Sequence, residues 1–264
     1  MALTFCSFSS GSTGNCSLVK SDNTAILVDS GISGRKIFQS LKSVSVDPAD
    51  VNAVLITHEH TDHISSLRVV NKKLPHIRTY ANCGTWDRIE KLVDESKRAT
   101  FTTGERFGIG DIEIKAFLLS HDAAEPVGYS FYSGGKQLSI ITDTGCISED
   151  IYEEIKGADL LILEANHDVE MLKMGRYPYF LKHRILGENG HLSNVDAANA
   201  ICKIFSEGEK ERQIILAHLS KENNFPEMAY LTVKNRLAEM DFYIGAGLRL
   251  NIIPRNDMSE IFLV

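Results

Sequence analysis

The run Val51-Asn52-Ala53-Val54-Leu55-Ile56-Thr57 is apolar and β-branched along nearly its whole length, and it stops abruptly at His58. A run of this kind reads as a strand covered on both faces. Shorter apolar runs at Leu3–Phe8, Ala25–Asp29, Ile77–Ala81, Ile112–Leu119, Gly128–Tyr132, Leu138–Thr142, Leu160–Glu164 and Gln213–Ala217 read as further strands. Asp241–Ile253 and Glu260–Val264 close the chain in strands, and Gly134-Gly135 supplies a hairpin turn. Helical spacing appears after Ser33 (Ile37, Phe38, Leu41) and from about His63 (Leu67, Val70). It returns from Ser193 or Asn194 (Ala197, Ala200, Ile201, Ile204, Phe205), and again from Pro226 to Met240. Many strands interleaved with a few helices, with no linker or repeat, predict an α/β layered sandwich forming one domain over residues 1–264.

Composition narrows the class. A chain of 264 residues with 43% apolar and 24% charged residues can bury one large core without staples. No run of ~18 apolar residues is present, which predicts no membrane span. The N-terminus lacks a basic region and a cleavage pattern, which points to the cytoplasm. The five cysteines, Cys6, Cys16, Cys83, Cys146 and Cys202, are odd in number and scattered, so they read as reduced thiols. The net charge of −7 counts mildly against nucleic acid, although two bound divalent cations would reverse the local field of an acidic site.

The chemistry concentrates directly after the buried strand, in Thr57-His58-Glu59-His60-Thr61-Asp62-His63. Three histidines and an aspartate within six positions offer imidazole nitrogen and carboxylate oxygen, which suits zinc, manganese or iron. His58 and His60 are two apart, so an extended or turning backbone can aim both at one ion, while Asp62 and His63 open the next element and can face a second. Three distant residues obey one rule. His121 follows the run Ala116–Ser120, Asp143 follows Leu138–Thr142, and His218 follows Ile214–Ala217. Each terminates an apolar strand, where ligands commonly collect.

This order of motifs resembles the metallo-β-lactamase superfamily, whose signature is H-x-H-x-D-H followed by a His, an Asp and a last His. The resemblance covers nearly the whole chain. It implies an αββα sandwich of two mixed sheets flanked by helices, with two divalent transition metals (Zn, Mn or Fe) in one site. It implies that His58, His60 and His121 hold one ion, that Asp62, His63 and His218 hold the other, and that Asp143 bridges. Asp62 is counted with the catalytic residues as well. Asp29, in Leu27-Val28-Asp29-Ser30-Gly31, matches the superfamily's first aspartate, which supports the ligand loop. Antibiotic-cleaving members usually carry Cys at the place of Asp143, and often lack a His at the place of His63. Only 74 residues separate Asp143 from His218, too few for the long capping domain of the RNA- and DNA-processing β-CASP members.

Two segments favour phosphodiester chemistry. Gly190-His191-Leu192-Ser193 resembles the Gly-His-Ser-Thr segment of tRNase Z, which makes His191 a candidate proton donor; its other reading is a cap for the following helix. Glu164-Ala165-Asn166-His167-Asp168 parallels the glutamate segment of that family, and Glu164 could orient His191. The same segment, the N-terminal Ser/Gly/Asn turn and Leu219-Ser220-Lys221-Glu222-Asn223-Asn224 resemble the YycJ/WalJ group. That resemblance implies a 5′→3′ exonuclease acting on DNA, with Ser220 and Asn223 near the substrate. A thioester or lactone hydrolase on the same site is the alternative, as is a tRNase Z-like or small-molecule phosphodiesterase. Independently, Met171–Arg184 carries Lys173, Arg176, Lys182 and Arg184 among Tyr177, Tyr179 and Phe180 with no acidic residue. It could bind phosphates and stack bases, or pack its aromatics on the body. Ser10, Ser12 and Asn15 could offer hydroxyl, amide and N–H groups to a phosphate, or simply make a tight turn.

Overall fold

The computed structural model describes residues 2–208, 210–245 and 247–264. Among them are fourteen strands: β1 (Thr4–Ser9), β2 (Cys16–Lys20), β3 (Ala25–Val28), β4 (Val51–Leu55), β5 (Arg78–Ala81), β6 (Arg98–Thr100), β7 (Arg106–Ile109), β8 (Ile112–Leu118), β9 (Val127–Ser133), β10 (Lys136–Ile141), β11 (Leu160–Glu164), β12 (Arg212–Ala217), β13 (Leu248–Ile252) and β14 (Phe262–Leu263). They form two mixed seven-stranded sheets, ordered β14-β1-β2-β3-β4-β5-β6 and β13-β12-β11-β10-β9-β8-β7. The chain divides into two compact units. The first contains Met1–Leu118, Ala123–Lys136 and Asn256–Val264; the second contains Leu119–Asp122 and Gln137–Arg255.

In the first unit, β1, β2 and β3 are antiparallel, whereas β3, β4, β5 and β6 run parallel. Parallel neighbours need crossovers, and the sequence supplies helices for them. The crossover helix Gly34–Ser43 starts at Ser33, whose side chain accepts the Lys36 N–H at 3.3 Å. Ile37 and Leu41 of that helix are buried with Leu27, Val54 and Ile56 in one apolar cluster. Burying each such side chain contributes ~1.5–3 kcal/mol. The parallel register sets Val28 beside Leu55 and Leu55 beside Tyr80. Asp29 and the His58 loop therefore leave the same sheet edge.

The second unit contains the parallel run β10-β11-β12-β13. Its register pairs Ile141 with Leu163, and Glu164 with Ala217. Asp143, Glu164 and His218 thus emerge together at the carboxyl ends of three adjacent strands. The Asn194–Ser206 helix is capped by Ser193, which accepts the Asp196 N–H at 3.1 Å, and Pro226 opens the Pro226–Glu239 helix as expected.

The strands differ from the sequence reading where they are short or peripheral. β2, β6 and β7 are three to five residues long and too mixed in polarity to be read. The expected strand Asp241–Ile253 contracts to β13, because positive φ angles at Asp241, Gly245 and Gly247 turn the preceding backbone. Gly134 and Gly135 have φ of 58° and 75°, the two-residue turn that the sequence signals.

Gly31 is required for a steric reason. A Cβ there would lie 1.5 Å from the Asp62 carbonyl oxygen and 2.8 Å from the His63 nitrogen, both backbone atoms. The close approach carries two hydrogen bonds, Ser30 N–H to His63 O at 2.7 Å and Gly31 N–H to Asn15 O at 2.8 Å. Gly31→Ala must push the Asp62–His63 backbone away, an overpacking change that typically destabilises by ~1–3 kcal/mol. Chemical denaturation should show this loss, and elemental analysis should show reduced metal content. A variant with wild-type stability and metal content would remove this account of Gly31.

Candidate active site

Each unit presents its own set of polar groups at a strand edge. In the first, Asp29 directly follows β3 with φ of 62°, a left-handed conformation that Asp tolerates better than most residues. This reversal keeps its carboxylate buried beneath the His58 loop, at 3% exposure. Asp29 Oδ1 accepts the Thr57 N–H at 2.9 Å, and Oδ2 accepts the Thr57 hydroxyl at 2.9 Å. His63 Nδ1 lies 2.7 Å from Asp29 Oδ2, and His58 Nδ1 lies 3.1 Å from the Thr57 hydroxyl oxygen.

Donor accounting fixes the tautomers. A carboxylate only accepts, so His63 donates from Nδ1; the Thr57 proton goes to Asp29, so Thr57 accepts from His58 Nδ1. Both imidazoles therefore keep the lone pair on Nε2. The Asn15 amide nitrogen sits 3.0 Å from His63 Nε2 and 3.3 Å from Asp62 Oδ2, so it donates toward both ligand groups. The His58 ring centroid is 4.0 Å from that of His63 and 4.6 Å from that of His60. His58 and His63, each oriented through Nδ1 with the Nε2 lone pair left over, are the donor chemistry that a divalent metal requires.

In the second unit the organising group is Glu164, at 0% exposure. One oxygen, Oε1, accepts from His191 Nδ1 and from His218 Nδ1, each at 2.8 Å. The other, Oε2, accepts the Thr144 N–H at 2.9 Å and the Leu192 N–H at 3.2 Å. Asp143 and His218 both have left-handed backbones, φ 62° and 55°. His121 donates from Nδ1 to the Gly190 carbonyl at 3.0 Å, again leaving the lone pair on Nε2. Asp143, Glu164, His191 and His218 each offer an atom within 4.8 Å of the others.

The charges follow from these contacts. Burial alone would raise Glu164, but the positive charge of His191 and hydrogen bonds from His191 and His218 outweigh it, holding the carboxyl at about 2. Burial likewise disfavours the charged form of His191, yet the Glu164 charge and hydrogen bond, with Asp143 beyond, raise it to about 9. His218 is raised against burial by Asp143 and Glu164. His121 is lowered, chiefly by burial, and so stays neutral. An imidazole must shed its proton before it can bind a metal, so at His218 a metal would have to compete with the proton that these carboxylates favour.

Several expected residues have other work than expected. Asn15 is buried, its amide turned onto Asp62 and His63 and its Oδ1 accepting the Gly11 N–H at 2.8 Å, so it shapes the ligand loop. Ser10 is buried and Ser12 exposed. Asn223 is buried at 1% exposure, and Ser220 accepts its N–H at 3.2 Å; both brace a turn instead of facing outward. Glu164 touches no solvent and acts through His191 and His218, which makes it a positioning residue. Thr57 and Thr144 escaped the sequence reading, since a buried threonine at a strand end looks like any other. The link from Glu164 to His218 had one legible signal, the parallel placement of two strand ends.

The family model described as beta-lactamase superfamily domain matches residues 24–218. The chain is 41% identical over 254 residues to exodeoxyribonuclease YycJ of Bacillus anthracis, covering 95% of each chain. It is 41% identical to exodeoxyribonuclease WalJ of Streptococcus pneumoniae, covering 91% of this chain and 90% of the relative. In fold it is similar to the metallo-beta-lactamase fold protein YhfI of Bacillus subtilis, with a TM-score of 0.74, 15% identity and full coverage of both chains.

The shared carboxylate gives a pH signature in metal-free protein. His191 is raised from 6.5 to about 9, so its contribution to stability is complete below pH 6.5 and is lost as pH rises through about 9. Glu164 is lowered, so its contribution is lost only as pH falls through about 2. The melting temperature should therefore fall between pH 6.5 and 9, and Glu164→Gln should flatten that fall. An equally steep fall in the variant would assign the titration to other groups.

Proposed function

This chain belongs to the beta-lactamase superfamily, and we propose that it is a metal-dependent phosphodiester hydrolase that removes nucleotides from DNA ends in the 5′→3′ direction. The observation that carries the chemistry is the Glu164–His191 pair, a charged imidazole held at the carboxyl edge of the β10-β11-β12 run. The exodeoxyribonuclease names of two relatives at 41% identity support DNA as the substrate. Among the described residues no helix is long and apolar enough to cross a membrane. A cytoplasmic location and a single working domain complete the reading.

The ligand assignment we propose follows the family's order: His58, His60 and His121 for one ion, Asp62, His63 and His218 for the other, and Asp143 shared. The fit is supported within each unit by the same device, an imidazole whose Nδ1 is tied to Asp29, Thr57, Glu164 or Gly190. When bound, two divalent ions supply Lewis acidity toward the phosphoryl oxygens and lower the pKa of water. Mixed imidazole and carboxylate ligands accept zinc, manganese or iron alike.

The chain's own proton chemistry rests on His191. Its Nδ1–H is bound to Glu164, so Nε2–H carries the proton that the departing nucleoside oxygen needs as the P–O bond breaks. The Glu164 carboxylate stabilises the imidazolium until that transfer and holds the ring at one angle. Because all four contacts of Glu164 are satisfied by protein donors, it stays ionised throughout.

Elemental analysis of protein purified with metal supplied should find close to two transition metals per chain; one or none would sink the shared-aspartate assignment. His191→Ala should keep both metals and slow DNA hydrolysis by ~10²–10⁴-fold, the usual worth of a positioned proton donor. The loss on an activated p-nitrophenyl phosphodiester should be much smaller, because that leaving group barely needs a proton. Equal losses on both substrates would assign His191 to binding or structure.

A further inference from the structure

The chain carries a net charge of −7, yet the stretch Leu67–Arg98 holds eight Lys and Arg residues against four Asp and Glu. In the first unit this stretch includes the Leu67–Lys73 helix and two short 3₁₀ turns, Glu90–Leu92 and Glu95–Lys97. The helix comes directly after the ligand loop, with Arg68 and Lys72 five and nine residues beyond His63. Helix and turns enclose a groove of about 380 Å³. Arg68, Lys72, Lys91 and Lys97 line it, and Asp94 is the one carboxylate among the described lining residues.

The four cations are positioned without being neutralised. Arg68 donates from Nη2 to the Lys91 carbonyl at 2.9 Å, and Lys97 donates from Nζ to the Asn71 carbonyl at 2.9 Å. These acceptors are main-chain oxygens, which hold a side chain and leave its charge in place. Among the described residues none of the four forms an ion pair. Glu90, in the first turn, is engaged by Arg98 at 3.6 Å. The basic-aromatic segment Met171–Arg184 differs, since Lys173 pairs there with Glu170 and Arg184 with Asp122.

The groove also has a fixed floor. Asn71 is buried, and its amide donates to the Leu67 carbonyl at 3.1 Å and to the Thr79 hydroxyl at 2.9 Å. Ile89 and Val93 are buried in the apolar cluster of the first unit, and Leu92 packs against it. Charges mounted on such a floor lose little freedom when an anion binds. Like charges on one groove also repel each other, a cost that an anion removes. Leu92 is the one apolar side chain among the described lining residues, so the groove offers no platform for a base or an apolar peptide. Its complement is a run of phosphates.

We propose that this groove binds phosphates of the DNA backbone, giving the first unit a grip on DNA beside the ligand loop. The proposal rests on the nuclease reading and locates a further part of its DNA surface. Contacts to phosphate carry no sequence information, because they touch no base edge. The groove therefore contributes to affinity for DNA and leaves the bond-breaking step to the metal site and His191.

The test measures binding of a phosphorothioate DNA duplex across a salt series, together with hydrolysis of bis(p-nitrophenyl) phosphate, which is too small to span loop and groove. Lys72→Gln/Lys91→Gln removes two exposed charges whose side chains make no hydrogen bond or ion pair among the described residues. Two phosphate contacts at roughly 0.9 each predict a log–log salt slope flatter by about 1.8, with low-salt affinity down about tenfold or more. DNA affinity should fall much further than turnover of the small ester. Lys72→Arg/Lys91→Arg should bind like wild type. Asp94→Asn should bind more tightly, because the opposing charge is gone and that side chain caps no N–H. Lys42→Gln/Lys234→Gln, which removes the same net charge at two other exposed positions, should keep the wild-type slope. An unchanged slope in the groove variant overturns the proposal. Equal flattening in the Lys42/Lys234 variant also overturns it, by assigning the effect to net charge. Equal losses on DNA and on the small ester do so as well, by giving the lysines a structural role. A wild type that hydrolyses the small ester and does not bind DNA fails the nuclease reading, and the groove proposal with it.

Discussion

The arrangement of His191 and His218 at the strand edge of the second unit depends on one buried carboxylate. Glu164 sits at the end of β11 with no exposure and takes four hydrogen bonds, two from imidazoles and two from backbone amides. An isolated carboxylate in such a place would neutralise itself, since burial raises its pKa. The donors reverse that, and in doing so they set two ring angles, the His218 tautomer and the charge of His191. Asp29 does the parallel work in the first unit, where a single carboxylate orients His63 directly and His58 through Thr57. Each set of ligand-type imidazoles is organised from beneath by an acidic residue at the end of a parallel strand.

Backbone conformation follows the same economy. Asp29, Asp143 and His218 are three of the five described non-glycine residues with positive φ, and all three lie within two residues of a strand end. A left-handed residue there turns the chain sharply while its own side chain stays at the sheet edge. Such conformations cost of order 1–3 kcal/mol each and persist only where the surroundings over-determine them. Asp143 and His218 are surrounded by Glu164, Thr144 and Asn166, the last of which donates to the His218 carbonyl at 2.9 Å. Strain and hydrogen bonding are therefore concentrated on the same few residues, which is where a metal site gains from rigidity.

Much of this was legible in the sequence, because the signals were local. The apolar run ending at His58, the H-x-H-x-D-H spacing and the isolated His and Asp residues after strands give the two sheets and the ligand candidates without any long-range information. What escaped depends on register. That His191 and His218 share one oxygen of Glu164 follows only once Glu164 is paired beside Ala217. Asn15 read as a phosphate contact because turn chemistry and anion binding use the same residue types; its burial beside Asp62 and His63 decides otherwise. The short strands β6 and β7 lack periodicity of their own and exist because a neighbouring strand offers an edge.

The two roles open to a buried glutamate near a metal site, base or anchor, are separated here by counting lone pairs. A general base must offer an oxygen to the proton it removes, within hydrogen-bond reach. Glu164 Oε1 already serves two imidazoles and Oε2 two amides, so accepting a further proton would break contacts that hold His191 and His218 in place. The carboxyl is also far too weak a base at about 2 to compete for a substrate proton near neutrality. His191, by contrast, has one nitrogen fixed and one turned away from its anchor, with a side chain that is 20% exposed. The pair thus divides the labour: the glutamate keeps a constant charge, and the histidine is the group whose proton can move.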